Sequence, residues 1–242
     1  MGAFTNTTAV ITGASSGVGR AIALGLAKEG AALCLVSRKP DTLKAIAECA
    51  GGLSPRVLSY RADLSIDRDL EELEANLSRD CGQIDVLIHC AGVLSLGTMA
   101  NTSVRDFDWQ YQTNVRAPYH LTQALLPLLK KSRGQVVFIN SSAGFTARAS
   151  VGQYAATKHA LKAIADSLRE ETNPDGMRVL SIFLGRTASP MQAKVHEIEG
   201  REYHPEYLVQ TEDVASVVIH ALGMPRTAEV TDINLRPLKR PT

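Results

Sequence analysis

The chain has 242 residues, 45% of them hydrophobic, with 26 Lys and Arg against 25 Asp and Glu and a formal net charge of +1. That size fits one α/β domain with ample material for a core, and the near balance of charge leaves no electrostatic footprint for nucleic acid or an acidic membrane. No apolar run approaches the roughly 20 residues of a membrane span, and Met1–Asn6 lack the charged and apolar regions of a signal peptide. Cys34, Cys49, Cys81 and Cys90 show neither C-x-x-C pairing nor metal-ligand spacing. Cys34 and Cys90 lie in strand-like runs, so buried free thiols, no metal and a reducing, cytoplasmic compartment are expected.

The first predicted strand, Ala9–Thr12, runs into the turn Gly13–Gly19 and a helix over Ala21–Lys28, closed by Gly30. A second strand, Ala32–Val36, ends at Ser37-Arg38-Lys39-Pro40, and Asp41 is placed to cap a helix that stops at Gly51-Gly52. Strand three, Val57–Arg61, leads through Ala62-Asp63-Leu64-Ser65 into an acidic helix reaching Arg79. Strand four, Asp85–His89, leads into Cys90-Ala91-Gly92. A long helix from Asp106 to about Lys131 contains Pro118, where a kink is expected. Strand five is Gln135–Asn140, and the helix that follows stops near Thr172, ahead of Pro174-Asp175-Gly176. Strand six, Arg178–Leu184, is followed by Gly185 to Pro190 and then by an irregular, charged segment, 191–210. That segment is a candidate substrate loop. A helix over Thr211–Leu222 and a last strand near Val230–Leu235 finish the chain. Strand and helix alternate without repeats or linkers, which predicts one α/β domain over 1–242, a doubly wound parallel sheet of about seven strands with helices on both faces.

Four stretches carry chemistry. Tyr154 and Lys158 sit four apart in the helical stretch Gln153–Leu161 and so share a helix face, with the ammonium able to lie beneath the phenol. A cation there favours the phenolate and brings the phenol below its reference pKa of about 10, making Tyr154 usable as a proton donor or acceptor. Taken singly, Y-x-x-x-K also fits an ordinary amphipathic helix. Ser141 follows the apolar run Val136–Ile139, so a strand would deliver its hydroxyl to the carboxyl end of the sheet, where open α/β proteins bind ligands. The first strand-to-helix turn reads T-G-x-x-x-G-x-G, with Gly13, Gly17 and Gly19 letting backbone amides and a helix start approach a pyrophosphate. After strand two come Ser37-Arg38-Lys39, with no carboxylate until Asp41. An Arg there accommodates a 2′-phosphate, so NADP(H) is favoured over NAD.

In order and spacing these residues resemble the short-chain dehydrogenase/reductase superfamily over nearly the whole chain. The resemblance is carried by Thr12–Gly19, Asp63-Leu64, Ala91-Gly92, Asn114 in Thr113-Asn114-Val115, Ser141 with Gly144, Tyr154 and Lys158. The spacing to Tyr154 and Gly144 selects Ser141 over Ser142. It implies a Rossmann-type fold and hydride transfer between a nicotinamide and a secondary alcohol or ketone. Ser141 would bond the substrate oxygen, Tyr154 would exchange its proton, and Lys158 would hold the ribose. Asn114 would anchor a water joining Lys158 to solvent. Gly13, Ser15, Ser16, Gly17, Val18 and Gly19 of the turn would meet the cofactor, as would Ser37, Arg38, Asp63 and Leu64. Cys90, Ala91 and Gly92 would do so through backbone atoms, with Gly185, Thr187 and Ser189 on the nicotinamide side. Singly, Asn114 also reads as a cap at a Pro118 kink and Asp63 as an N-cap of the following helix.

Three departures from the family pattern stand out. His89-Cys90-Ala91-Gly92 replaces Asn-Asn-Ala-Gly, so contacts there must rely on backbone. Leu184-Gly185 replaces Pro-Gly, and the chain ends without a longer Gly-rich tail, as in shorter NADP-preferring members acting on alcohols and carbonyls. An alternative reading is an NADP-binding sensor or scaffold without turnover; the complete Asn114, Ser141, Tyr154 and Lys158 set argues against it. Epimerisation or dehydration on this scaffold usually needs more domain. The expected partners are a small alcohol or carbonyl substrate and further copies of the chain, a homodimer or homotetramer built through helices 106–131 and 152–172.

Overall fold

Seven short runs of mostly apolar residues pair into one parallel sheet in the computed structural model, which describes residues 2–238. They are β1 (Thr8–Thr12), β2 (Ala32–Ser37), β3 (Val57–Arg61), β4 (Val86–His89), β5 (Gln135–Ser141), β6 (Arg178–Leu184) and β7 (Asp232–Leu235), in the order β3-β2-β1-β4-β5-β6-β7. All six pairings are parallel. β4 and β6 are buried at every position, as strands covered on both faces must be.

The helices are α1 (Gly17–Lys28), α2 (Pro40–Gly51), α3 (Asp67–Asp80), α4 (Val104–Tyr111), α5 (Ala117–Ser132), α6 (Gly152–Thr172), α7 (Pro190–Ile198) and α8 (Thr211–Leu222). Because side chains alternate across a strand, neighbours such as Val10 and Ile11, or Val136 and Val137, belong to different cores. One core joins Ile11 and Val137 to Ile22, Leu26 and Val218 of α1 and α8. The other joins Val10 and Val136 to Leu73, Leu121 and Leu161 of α3, α5 and α6. α3 shows how local sequence serves this layering. Leu70, Leu73 and Leu77 make its buried stripe, each contributing roughly 1.5–3 kcal/mol by burial. Asp67 and Asp69 lie at its positive end and Arg79 at its negative end.

β1 lies between β2 and β4, so the connections leaving β1 and β4 turn to opposite sides, and a crevice opens at their carboxyl ends. Several sequence expectations change in detail. Asp41 does not cap α2: Lys39 is its N-cap residue and Pro40 its first, leaving Asp41 in the first turn. The long helix at 106–131 is two helices joined by a π turn, Gln112–Arg116. The irregularity falls just before Pro118, where the Ala117 amide bonds the Gln112 carbonyl five residues back. Pro118 has no N–H to offer the Asn114 carbonyl, so the ladder gives way there, and Pro118 occupies the tolerant first turn of α5. The segment 191–210 is more regular than expected, since α7 occupies most of its first half and Pro205–Tyr207 form a 3-10 turn.

Of the cysteines, Cys34 and Cys81 are buried with their Sγ atoms 3.6 Å apart, Cys90 is half-buried and Cys49 is exposed; all four are free. Among the described residues no helix is long and apolar enough to cross a membrane.

Candidate functional site

The crevice is a cavity of about 890 Å³, within the range of small-molecule sites. Ser141, Tyr154 and Lys158 line it, as does every expected cofactor residue except Gly19 and Asp63.

At one end the turn after β1 needs its glycines for two reasons. Gly13 has φ +67°, and a Cβ there would lie 2.8 Å from the Ala91 backbone. A Cβ on Gly19 would lie 2.4 Å from the Gly13 carbonyl oxygen. Gly19 therefore brings α1 against the turn and does not itself face the cavity. Ser37 Oγ donates to Ser15 Oγ at 2.6 Å, tying the end of β2 to this turn. Arg38 is half exposed and stands 3.8 Å from Asp63. Asp63 does not cap α3, whose N-cap residue is Ile66. Its carboxylate instead accepts from the Ser65 amide and hydroxyl at 3.0 and 2.7 Å, shaping the turn behind Leu64.

The missing asparagines after β4 are replaced by a device the sequence did not disclose. Thr12 Oγ1 accepts from the Cys90 and Ala91 amides, both at 3.1 Å, and donates to the Ile88 carbonyl at 3.3 Å. His89 turns away from the cavity, bonded to Thr122 at 2.8 Å and stacked 5.0 Å from Phe138. Cys90 faces the cavity, and burial pushes its thiol up to about 12 against the opposing charge of Lys158. Asn114 is buried behind the wall. Its Oδ1 accepts from the Val93 amide at 2.8 Å, and its Nδ2 donates to the Val93 carbonyl and to Thr157 at 2.9 and 3.1 Å. Its side chain is thus committed to the Val93 backbone and Thr157, while Pro118 denies its carbonyl the usual donor four residues on.

β5 and α6 bring Ser141, Tyr154 and Lys158 together. Asn140, which sequence reasoning passed over, joins the two elements: its Oδ1 accepts from the Ser141 amide at 2.8 Å and its Nδ2 donates to the Lys158 carbonyl at 3.1 Å. Gly144 lets this clamp close, since a Cβ there would stand 3.0 Å from both Asn140 Oδ1 and the Lys158 carbonyl. Ser141 Oγ accepts from the Ala143 amide at 3.1 Å, which leaves its proton free to be donated. Lys158 Nζ lies 5.8 Å from the Tyr154 ring centre and donates to the Ile139 carbonyl at 3.0 Å.

The titration of this pair differs from the sequence expectation. Burial pushes the Tyr154 phenol up to about 12, opposed by a hydrogen bond from Ser141, and burial draws Lys158 down to about 8. Helical spacing puts the two on one face but does not reveal that both lose solvent there. Desolvation decides the direction of both shifts.

On the remaining side Thr187 Oγ1 donates to the Gly185 carbonyl at 3.1 Å, and Ser189 Oγ caps α7 through the Gln192 amide at 3.2 Å. Arg186 bonds both oxygens of Glu199 at 2.8 and 2.7 Å and meets His196 Nε2 at 3.3 Å.

A parallel sheet in this order, with a glycine turn opening from β1 onto α1 beneath a cavity, defines a Rossmann-type dinucleotide-binding fold. The chain belongs to the short chain dehydrogenase family, whose family model matches residues 7–200, and is an oxidoreductase of that family. It is 31% identical over 231 residues to an uncharacterized oxidoreductase of Staphylococcus epidermidis, covering 95% of this chain and 96% of that one. It is also 31% identical over 238 residues to the glycine betaine reductase of Emericella nidulans, of which it spans 19%. Among solved structures it is similar to an alcohol dehydrogenase from Thermococcus sibiricus complexed with 5-hydroxy-NADP (TM-score 0.86, 28% identity, 98% of this chain and 99% of that chain). It is likewise similar to a short chain dehydrogenase from Shigella flexneri complexed with NADP (TM-score 0.88, 28% identity, 96% and 97%).

Proposed function

We propose that the protein is an NADP(H)-dependent oxidoreductase that moves hydride between the nicotinamide and a secondary alcohol or ketone. One observation carries this reading: a hydroxyl, a phenol and an ammonium, from Ser141, Tyr154 and Lys158, face the same end of one cavity. The opposite end fits the dinucleotide. Arg38 and Lys39 line it, and among the described residues no carboxylate lines the cavity there to exclude a 2′-phosphate. Bound NADPH supplies the hydride. Ser141 donates a hydrogen bond to the substrate oxygen, and Tyr154 gives it a proton during reduction or takes one during oxidation. Lys158 holds the ribose hydroxyls and supplies positive charge beside the phenol as it ionises. The Asn114 carbonyl anchors the water that reconnects this proton to solvent. Exposed Phe107, Tyr111 and Tyr119 on α4 and α5 support a homo-oligomer built through these helices and α6.

Tyr154→Phe tests the proton donor, because it keeps the ring and removes the transferable proton. With NADPH and a panel of ketones, followed by nicotinamide absorbance, kcat is expected to fall by about 10²–10⁴ with NADPH affinity little changed. A variant that reduces ketones at the wild-type rate removes Tyr154 from the mechanism. A wild-type protein that binds NADPH and reduces nothing supports the alternative of a sensor or scaffold.

A further inference from the structure

At the Tyr154 end of the cavity one cation has no partner among the described residues. Arg148 lies between the 3-10 turn at Ser142–Gly144 and the start of α6, and it lines the cavity with Thr146 and Val151. The loop is pinned at its α6 end. The Val151 amide bonds the Arg148 carbonyl at 3.2 Å, and the Gly97 amide bonds the Ser150 carbonyl at 2.9 Å. The second bond brings the segment carrying Leu94 and Leu96 alongside.

The other cations of the cavity are already engaged or stand elsewhere. Arg186 holds Glu199, Lys158 bonds the Ile139 carbonyl, and Arg38 faces Asp63 with Lys39 beside it at the opposite end. The guanidinium of Arg148 makes no hydrogen bond or ion pair with the described residues. Among the described residues Glu199 is the only carboxylate lining the cavity, and Arg186 neutralises it. The substrate end therefore keeps an uncompensated positive charge, set beside the apolar side chains of Leu94, Leu96, Val151 and Met191. The dipole of α6, which begins at Gly152, adds potential of the same sign.

We propose that Arg148 binds a carboxylate of the substrate, so that the compound reduced is an oxo acid and the alcohol oxidised is the corresponding hydroxy acid. This inference rests on the oxidoreductase reading and deepens it. The planar fork of a guanidinium matches a carboxylate through two parallel hydrogen bonds, and the apolar wall takes the carbon chain between carboxylate and ketone. The ketone carbon accepts hydride and its electron pair from NADPH, and the oxygen accepts the proton of Tyr154, giving the alcohol and NADP⁺. The carboxylate keeps its charge throughout and serves only to hold the substrate.

The test uses a series of aliphatic oxo acids of increasing chain length, each paired with its primary amide, and follows NADPH consumption. The wild-type protein is expected to prefer at least one acid over its amide by 10-fold or more in kcat/KM, mainly through KM. That preference should shrink as salt is raised. Arg148→Gln should lower kcat/KM for the acid 10- to 100-fold more than for the amide, and Arg148→Lys should restore part of the difference. Acids and amides reduced alike by the wild type would overturn the proposal, as would equal losses for both in Arg148→Gln. Weaker NADPH binding by Arg148→Gln would overturn it too, by assigning Arg148 to the cofactor. If only neutral ketones are reduced, this proposal fails and the oxidoreductase reading stands; if no ketone or acid is reduced, both fail.

Discussion

Arg38 sits where β2 hands over to α2, and the proposed preference for NADP(H) turns on it more than on any other side chain. Its ion pair with Asp63 is long, at 3.8 Å, and half open to solvent, so little energy holds it to that partner. A 2′-phosphate would present a charge-assisted bond in its place. Arg38→Ala is expected to weaken NADPH by about 1.5–3 kcal/mol, the scale of a hydrogen bond to a charged group, with NADH nearly unaffected. Titrations of both cofactors by fluorescence would read this directly, and equal losses for the two would remove Arg38 from cofactor choice. Tyr154 and Lys158 carry a different lesson at this scale. Their spacing fixes which face they share, but the state of each proton is set by burial, which takes the phenol up to about 12 and the ammonium down to about 8.

Among the elements, α7 departs most from what the sequence suggested. Its stretch reads as polar and irregular, yet His196 is buried against Tyr203, and Arg186 fastens the helix end by both oxygens of Glu199. This clasp ties the cavity wall at Arg186 to the end of α7, and Arg201 stands 3.8 Å from the same carboxylate. Glu199→Gln breaks the charge but keeps the shape. The loss of about 1 kcal/mol expected for a partly exposed pair, in which one guanidinium nitrogen bonds both oxygens, should speed amide exchange across Pro190–Ile198 roughly fivefold and leave β6 unchanged. Unchanged exchange in α7 would show that the helix is held by packing instead. The other elements were far more legible. Strands follow from apolar runs, and α8 spans the residues expected for it, Thr211–Leu222. What escaped were features that exist only between elements. The Thr12 hydroxyl bracing the turn after β4 and the Asn140 clamp from β5 to α6 both join residues distant in sequence. The π turn at Gln112–Arg116 showed in the sequence only as a proline, whose effect on the preceding carbonyls depends on how the helix packs.

For the whole molecule, the most consequential substitution is the one that puts His89 where the family carries asparagine. An imidazole at the carboxyl end of the central strand β4 lies between two stabilising contacts, the Phe138 ring and the Thr122 hydroxyl, and is cut off from water. Burial holds its pKa down to about 3, whereas an unfolded chain would titrate it near 6.5. Between those values the unfolded state binds a proton that the folded state refuses, so stability falls as pH falls through this window. Below the folded value both states are protonated and the contribution is lost. The slope from one such group is about 1.4 kcal/mol per pH unit. His89→Asn removes the titration while keeping a polar side chain of the family's kind. Urea unfolding between pH 7 and 5, above most of the carboxylate range, should show the wild type losing stability with acid more steeply than the variant, by up to one proton's slope. The comparison rests on slopes, so it holds even if the variant starts less stable. Equal slopes in the two proteins would mean that the imidazole charges in place and that the core around β4 admits water.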